Sequence, residues 1–172
     1  QNRRELYNLC PDPLVPLVPA ELCFGVGERV HYDGEIARRP SAAELRRLGK
    51  RLREARVEAV AVCLLHSYRE PANERAVIEA LAGAGYVCAS HEVSPEFREF
   101  ERASTTTINA YVGPLMDRYL GRLEAACPYP VAILQSNGGS MTAAQARRHA
   151  VRTVLSGPAG GVIGAVEMAR RS

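Results

Sequence analysis

The chain has 172 residues, about one domain at the usual ~100–200 residues each, which excludes a large multidomain machine. Hydrophobic residues make up 47% and charged residues 24%, enough apolar material for a core and too much for intrinsic disorder. The 22 basic and 19 acidic side chains leave a formal charge of +3, and the bases, all arginine except Lys50, are spread without a block, so nothing predicts nucleic-acid binding.

Residues 6–20 hold four prolines among leucines and valines, which favours an extended lead-in over a helix. Residues 22–30 and 36–37 flank Asp33-Gly34, a pair suited to the positive φ of a tight turn, and read as a small β-hairpin. From residue 41 helices and strands alternate. Ser41 with Glu44 fits a capping box, and Leu45, Leu48 and Leu52 then share one face of an amphipathic helix. Residues 57–65 are apolar on both alternating faces, as in a strand covered by helices on each side.

A second helix is predicted over 71–84, with Pro71 in its first turn and Gly83 and Gly85 at its end, followed by a strand over 86–90. Residues 101–126 read as helix in two pieces, since Gly113-Pro114 removes a backbone donor and invites a new start at Leu115. A third strand over 131–135, a short helix capped by Thr142 and Gln145, a fourth strand over 151–155 and a last helix over 159–170 complete the series. The β-α-β order predicts an α/β fold with a mainly parallel sheet, flanking helices and right-handed crossovers.

The five cysteines at 10, 23, 63, 88 and 127 are odd in number and lack CxxC spacing, as expected of reduced thiols in a cytoplasmic protein. No segment approaches ~18 consecutive apolar residues, so no membrane span is expected. The sequence begins at Gln1 and stops at Ser172 inside a helical pattern, from which we expect an excised piece of a longer chain.

Three stretches could carry chemistry. The first, 91–111, follows a predicted strand and so falls at the carboxyl edge of the sheet, where open α/β folds bind ligands. Its Glu and Arg residues suit an anionic or amide substrate, but on the residues alone a solvated helix start with Glu–Arg pairs is the favoured reading. The second, Gln135-Ser136-Asn137-Gly138-Gly139, offers neutral hydrogen bonds and glycine backbone for an amide or carboxylate, or is a plain turn. The third, residues 156–165, matches neither GxGxxG nor GxxxxGK[ST], so its glycines suit close packing better than phosphate binding. Ser136 and Ser156 lack a GxSxG setting with a His–Asp partnership, and Cys88 with His91 falls short of a zinc set, so serine hydrolysis and a metal site are not expected. His66 reads as a hydrogen-bonded strand-end residue rather than a base.

Taken in order, the stretches 58–68 (EAVAVCLLHSY) with Glu70, Pro71 and Glu74, 90–106 (SHEVSPEFREFERASTT), 109–112 (NAYV), 135–139 (QSNGG) and 155–162 (LSGPAGGV) resemble the hydantoinase A/oxoprolinase family over nearly the whole chain. The resemblance implies a partial actin-like, ribonuclease H-like ATPase lobe from an enzyme that splits cyclic amides such as 5-oxoproline or N-methylhydantoin at the expense of ATP and Mg²⁺. Other members of the family serve acetone carboxylation. It also implies partners: the remaining lobe of the same polypeptide and a B-type subunit or domain. The DxGGT-type phosphate loops of the family do not occur here, so tight binding of ATP to this chain alone is not expected.

On this resemblance residues 1–40 are a connector and hairpin, 41–155 the α/β core, and 156–172 a glycine-rich interlobe connector helix. Candidates to orient substrate or bridge to a missing segment are Arg98, Glu99, Glu101, Arg102, Thr105, Thr106 and Asn109. Gln135, Ser136 and Asn137 are candidate amide contacts, and Ser156, Gly157, Gly160, Gly161 and Gly164 a hinge beside the nucleotide. The catalytic residues are not identified. The rival reading is a noncatalytic α/β module that binds a small metabolite or a protein with the same polar edge.

Overall fold

A computed structural model of the chain describes residues 7–10 and 15–171. The extended lead-in expected over 6–20 lies outside the described residues at 6 and 11–14, and Ser172 of the expected connector does so too.

Strands β1 (Arg29–Val30) and β2 (Ile36–Arg38) form an antiparallel hairpin with Gly34 at φ +97° in its turn, but the first strand is two residues rather than the expected 22–30, because Ala20–Leu22 is a 3-10 turn and 23–28 pair with no strand. Helix α1 (Ala42–Glu54) begins where Ser41 Oγ accepts from the Glu44 amide at 3.3 Å. The box is only half formed, because the Glu44 carboxylate instead accepts from the Gly27 amide at 2.6 Å and ties the preceding segment to the helix. Strand β3 (Ala59–Val62) and strand β4 (Tyr86–Ala89), joined through helix α2 (Ala72–Ala80), pair in parallel with Ala61 opposite Cys88. Leu45 and Leu52 of α1, Val62, Val77, Leu81 and Ala89 form the buried cluster beneath this unit.

A short helix α3 (Ser90–Val93) leaves β4 directly, and α4 (Glu99–Ala126) follows. The expected break at Gly113-Pro114 does not occur: α4 is one helix of 28 residues with Pro114 inside it. An interior proline costs roughly 3 kcal/mol. Packing on both sides of it offsets that cost, through Thr106, Asn109 and Ala110 toward β4 and Leu120 against Met141 and Ala146. Gly113 is required there because the Tyr86 ring occupies the space a Cβ would take.

The α/β class holds, but among the described residues parallel pairing is confined to β3 and β4. Strand β5 (Ala132–Leu134) turns back through Asn137-Gly138 to pair antiparallel with β6 (Ser140–Thr142), because Gly138 takes φ +86° and Asn137 Oδ1 accepts from the Gly139 amide. Thr142 and Gln145 form the complete capping box of helix α5 (Ala143–Arg148). The fourth strand expected over 151–155 is instead a 3-10 turn, Ala150–Thr153. Its Val151 amide is taken by Asn109 Oδ1 rather than by a neighbouring strand. Helix α6 (Ser156–Arg171) closes the described chain. Among the described residues no helix is long and apolar enough to cross a membrane.

Candidate functional site

The carboxyl ends of β3 and β4 converge on a buried polar network. Glu74, at the third position of α2, is fully buried and its carboxylate meets four donors. Oε1 accepts from the Leu64 amide at 2.8 Å and Ser90 Oγ at 2.6 Å, while Oε2 accepts from the His91 amide at 3.0 Å and lies 2.7 Å from His91 Nδ1. With Ser90 donating to Glu74, Ser67 Oγ donates to Ser90 Oγ at 3.0 Å and continues the chain. One carboxylate thus fastens the end of β3, the start of α3 and an imidazole, which the parallel register makes possible by setting both strand ends side by side.

Arg102, itself only 1% exposed, holds the same edge from the other side. It donates from Nη2 to the Leu64 carbonyl at 2.9 Å and from Nη1 to the Glu96 carbonyl at 2.8 Å, and its guanidinium lies over the Tyr68 ring. Its Nε is buried with no partner among the described residues. Leu64 therefore has its amide on Glu74 and its carbonyl on Arg102, and the turn that follows carries His66 at φ +56°, an uncommon conformation for a non-glycine residue.

The sequence-predicted residues fall into three groups. Arg98, Glu99 and Glu101 are exposed at the start of α4, with Arg98 and Glu101 paired at 3.6 Å. Arg102, Thr106 and Asn109 are buried and committed to internal bonds, and Thr105 is half-buried beside them. Thr106 Oγ1 donates to the Arg102 carbonyl at 2.7 Å. Asn109 donates to Tyr86 Oη and the Arg148 carbonyl and accepts from the Val151 amide. Gln135, Ser136 and Asn137 form a separate turn, in which Gln135 Nε2 donates to the Ser140 carbonyl and the Ser136 amide to the Arg152 carbonyl.

This turn adjoins the glycine helix, since Ile163 fills the space beside Gly138 and Leu134 the space beside Gly160. Ser156 opens α6, and Gly157, Gly161 and Gly164 face open space. Such glycines make no cradle for a triphosphate, and among the described residues no three His, Cys, Asp or Glu side chains are grouped to hold a metal ion.

Cys88 and His91 do not converge: the Cys88 thiol contacts the Thr106 carbonyl at 3.6 Å, while His91 turns to Glu74. Burial pushes the Cys63 and Cys88 thiols up to about 11 each, against a weaker opposing pull from Thr106 and Asn109 respectively. Since the thiolate is the nucleophile, a short alkylation at pH 8 should label exposed Cys10 and Cys23 and spare Cys63 and Cys88 until the chain is unfolded. Mass-spectrometric mapping of the labels checks this; equal labelling of all four would contradict the packing.

Sequence reasoning missed Glu74, Ser67 and Ser90 as a connected group. Glu74 sits where an acid commonly favours a helix N-terminus, which hides its burial. An apolar cavity of about 650 Å³ lies against β3, walled by side chains such as Phe24, Leu48, Val60 and Leu81. None of the predicted site residues lines it.

Comparison with known proteins covers nearly the whole chain. The Hydantoinase/oxoprolinase N-terminal region profile matches residues 1–85 and the Hydantoinase/oxoprolinase profile residues 102–172. The caprolactamase subunit alpha of Pseudomonas jessenii is 35% identical over 161 residues, 89% of this chain and 23% of the relative. The crystal structure of the ATP-dependent caprolactamase of that organism aligns with a TM-score of 0.78 over 89% of this chain and 23% of that one. The nucleotide-free structure of acetone carboxylase, from work on ATP-dependent acetone carboxylation, aligns with a TM-score of 0.79 at 29% identity, covering 91% of this chain and 23% of that one. The 5-oxoprolinase of Saccharomyces cerevisiae is 33% identical over 141 residues, 77% of this chain and 11% of the relative. The chain therefore spans at most about a quarter of the length of these relatives.

Proposed function

The chain belongs to the hydantoinase/oxoprolinase family, and from that premise we propose that it is part of an enzyme that opens a cyclic amide with the help of ATP. The observation that carries this reading is the polar carboxyl edge of the β3–β4 pair, where Glu74 and Arg102 fix the backbone and the first turn of α4 presents Arg98, Glu99 and Glu101 outward. An amide resists hydroxide because attack must break its resonance, and ATP held elsewhere in the assembled enzyme would supply the activation of the carbonyl. Fixed hydrogen-bond donors then stabilise the charge that develops.

In the assembled enzyme Arg98, Glu99 and Glu101 orient the substrate or meet a neighbouring segment, while Arg102, Thr105, Thr106 and Asn109 position them by holding α4 on the sheet. Gln135, Ser136 and Asn137 contact the amide, and the helix beginning at Ser156, Gly157, Gly160, Gly161 and Gly164 serves lobe closure. ATP and Mg²⁺ are held by segments other than these, so the isolated chain is inactive, and the setting is cytoplasmic. Support for a larger assembly, with a second lobe and a B-type partner, comes from exposed apolar side chains on α4 and α6, among them Phe100 at 80% and Val162 at 66% exposure.

In the assembled enzyme, Arg98→Ala and Asn137→Ala should each lower kcat/KM for 5-oxoproline or caprolactam by about tenfold or more, the loss expected when a hydrogen bond to a developing charge disappears. Steady-state kinetics with both lactams tests this. Unchanged kcat/KM in both variants would remove the site.

A further inference from the structure

The Glu74–His91 pair has the form of an oriented base. The imidazole is nearly buried, with 9% of its side chain exposed, and Nδ1 lies 2.7 Å from a carboxylate that is itself inaccessible to solvent. That contact fixes the ring, and in the neutral tautomer whose Nδ1–H donates to Glu74 the lone pair is on Nε2. Nε2 has no hydrogen-bond partner among the described residues; the closest acidic oxygen, Glu92 Oε1, is 3.8 Å away on an exposed side chain. A histidine kept only to brace the fold needs one ring nitrogen, and here that nitrogen is Nδ1.

The surroundings point the same way. Ser90, next to His91, is bonded to Ser67, next to His66, so the backbone-strained His66 turn and the free face of His91 share one edge at the carboxyl ends of the parallel strands.

Resting on the lactam-opening reading above, we propose that His91 Nε2 is the general base for the water that attacks the ring amide, and that Glu74 is its positioning residue. In this step an O–H bond of water breaks and its proton goes to Nε2. The water oxygen forms the new bond to the amide carbon, and the carbonyl π pair moves onto the carbonyl oxygen; when that pair returns, the C–N bond breaks and the ring nitrogen takes the proton from Nε2. Glu74 accepts from Nδ1 throughout and stabilises the imidazolium that results.

The test is made in the assembled enzyme. His91→Asn keeps an amide N–H close to the position of Nδ1, and so the bond to Glu74, but deletes Nε2. It should lower kcat for lactam opening by about a hundredfold or more with little change in KM, and added imidazole should restore part of the loss. A kcat within threefold of the parent, or a variant that imidazole does not rescue, would overturn the proposal.

A measurement on the unsubstituted enzyme covers the case in which His91→Asn does not fold. Diethyl pyrocarbonate should modify His91 at Nε2, with activity lost in proportion and with protection by lactam. Full modification with activity retained, or a His91 that resists the reagent, would overturn the proposal equally. Failure of the parent enzyme to open any lactam would instead count against the functional reading, which keeps the two distinguishable.

Discussion

Glu74→Ala should remove about 3–5 kcal/mol of stability, the cost of withdrawing one partner from a buried charged network. Four donors would lose their acceptor together: the Leu64 amide, the Ser90 hydroxyl, the His91 amide and the His91 ring. The site is fully buried, so bulk water cannot replace the carboxylate, although a trapped water could serve one or two of the donors and reduce the loss. A domain of this size has a net stability of only about 5–15 kcal/mol, so the variant should sit near its unfolding limit. Glu74→Gln preserves shape but turns an N–H₂ toward donors, and should fall between. Urea unfolding of the three chains checks the order; a loss under 1 kcal/mol for Glu74→Ala would show that the network does not hold the edge together.

Asn109→Ala should cost about 2–4 kcal/mol, through two lost donations, one lost acceptor and a small cavity. The side chain is fully buried and joins three elements. Its Nδ2 donates to Tyr86 Oη of β4 at 3.2 Å and to the Arg148 carbonyl at 3.0 Å, and its Oδ1 takes the Val151 amide at 3.0 Å. Burial pushes the Tyr86 phenol up to about 12, so it stays protonated and shares its one O–H between the Arg147 and Arg148 carbonyls, each at 2.9 Å. Removing Asn109 should therefore loosen the 148–152 segment before the rest unfolds, seen as faster amide exchange at Val151. Exchange there at the parent rate would contradict the assignment.

Elements whose signals are local were legible in the sequence. The Leu45, Leu48 and Leu52 stripe, the Asp33-Gly34 turn, the apolar run that contains β3 and the Thr142–Gln145 box depend on neighbours within one or two turns. Features set by distant contacts were not. Pro114 reads as a break, and only the packing of α4 on β4 and on Met141 makes one helix of it. Residues 151–155 read as a strand, yet the Val151 amide is claimed by a side chain 42 positions earlier. Arg102, Thr106 and Asn109 read as polar ligands because nothing local announces burial, and the structure places them inside. The same reasoning hides Glu74, whose four donors come from Leu64, Ser90 and His91, brought near only by parallel pairing.

The most direct test of the whole account is a turnover assay that follows ring opening and ADP together, run on the 172-residue chain and on the assembled enzyme that carries it. The account predicts lactam opening coupled to ATP consumption by the assembly and none by the chain alone. Ring opening by the isolated chain, or an assembly that opens no cyclic amide in the presence of ATP and Mg²⁺, would contradict it.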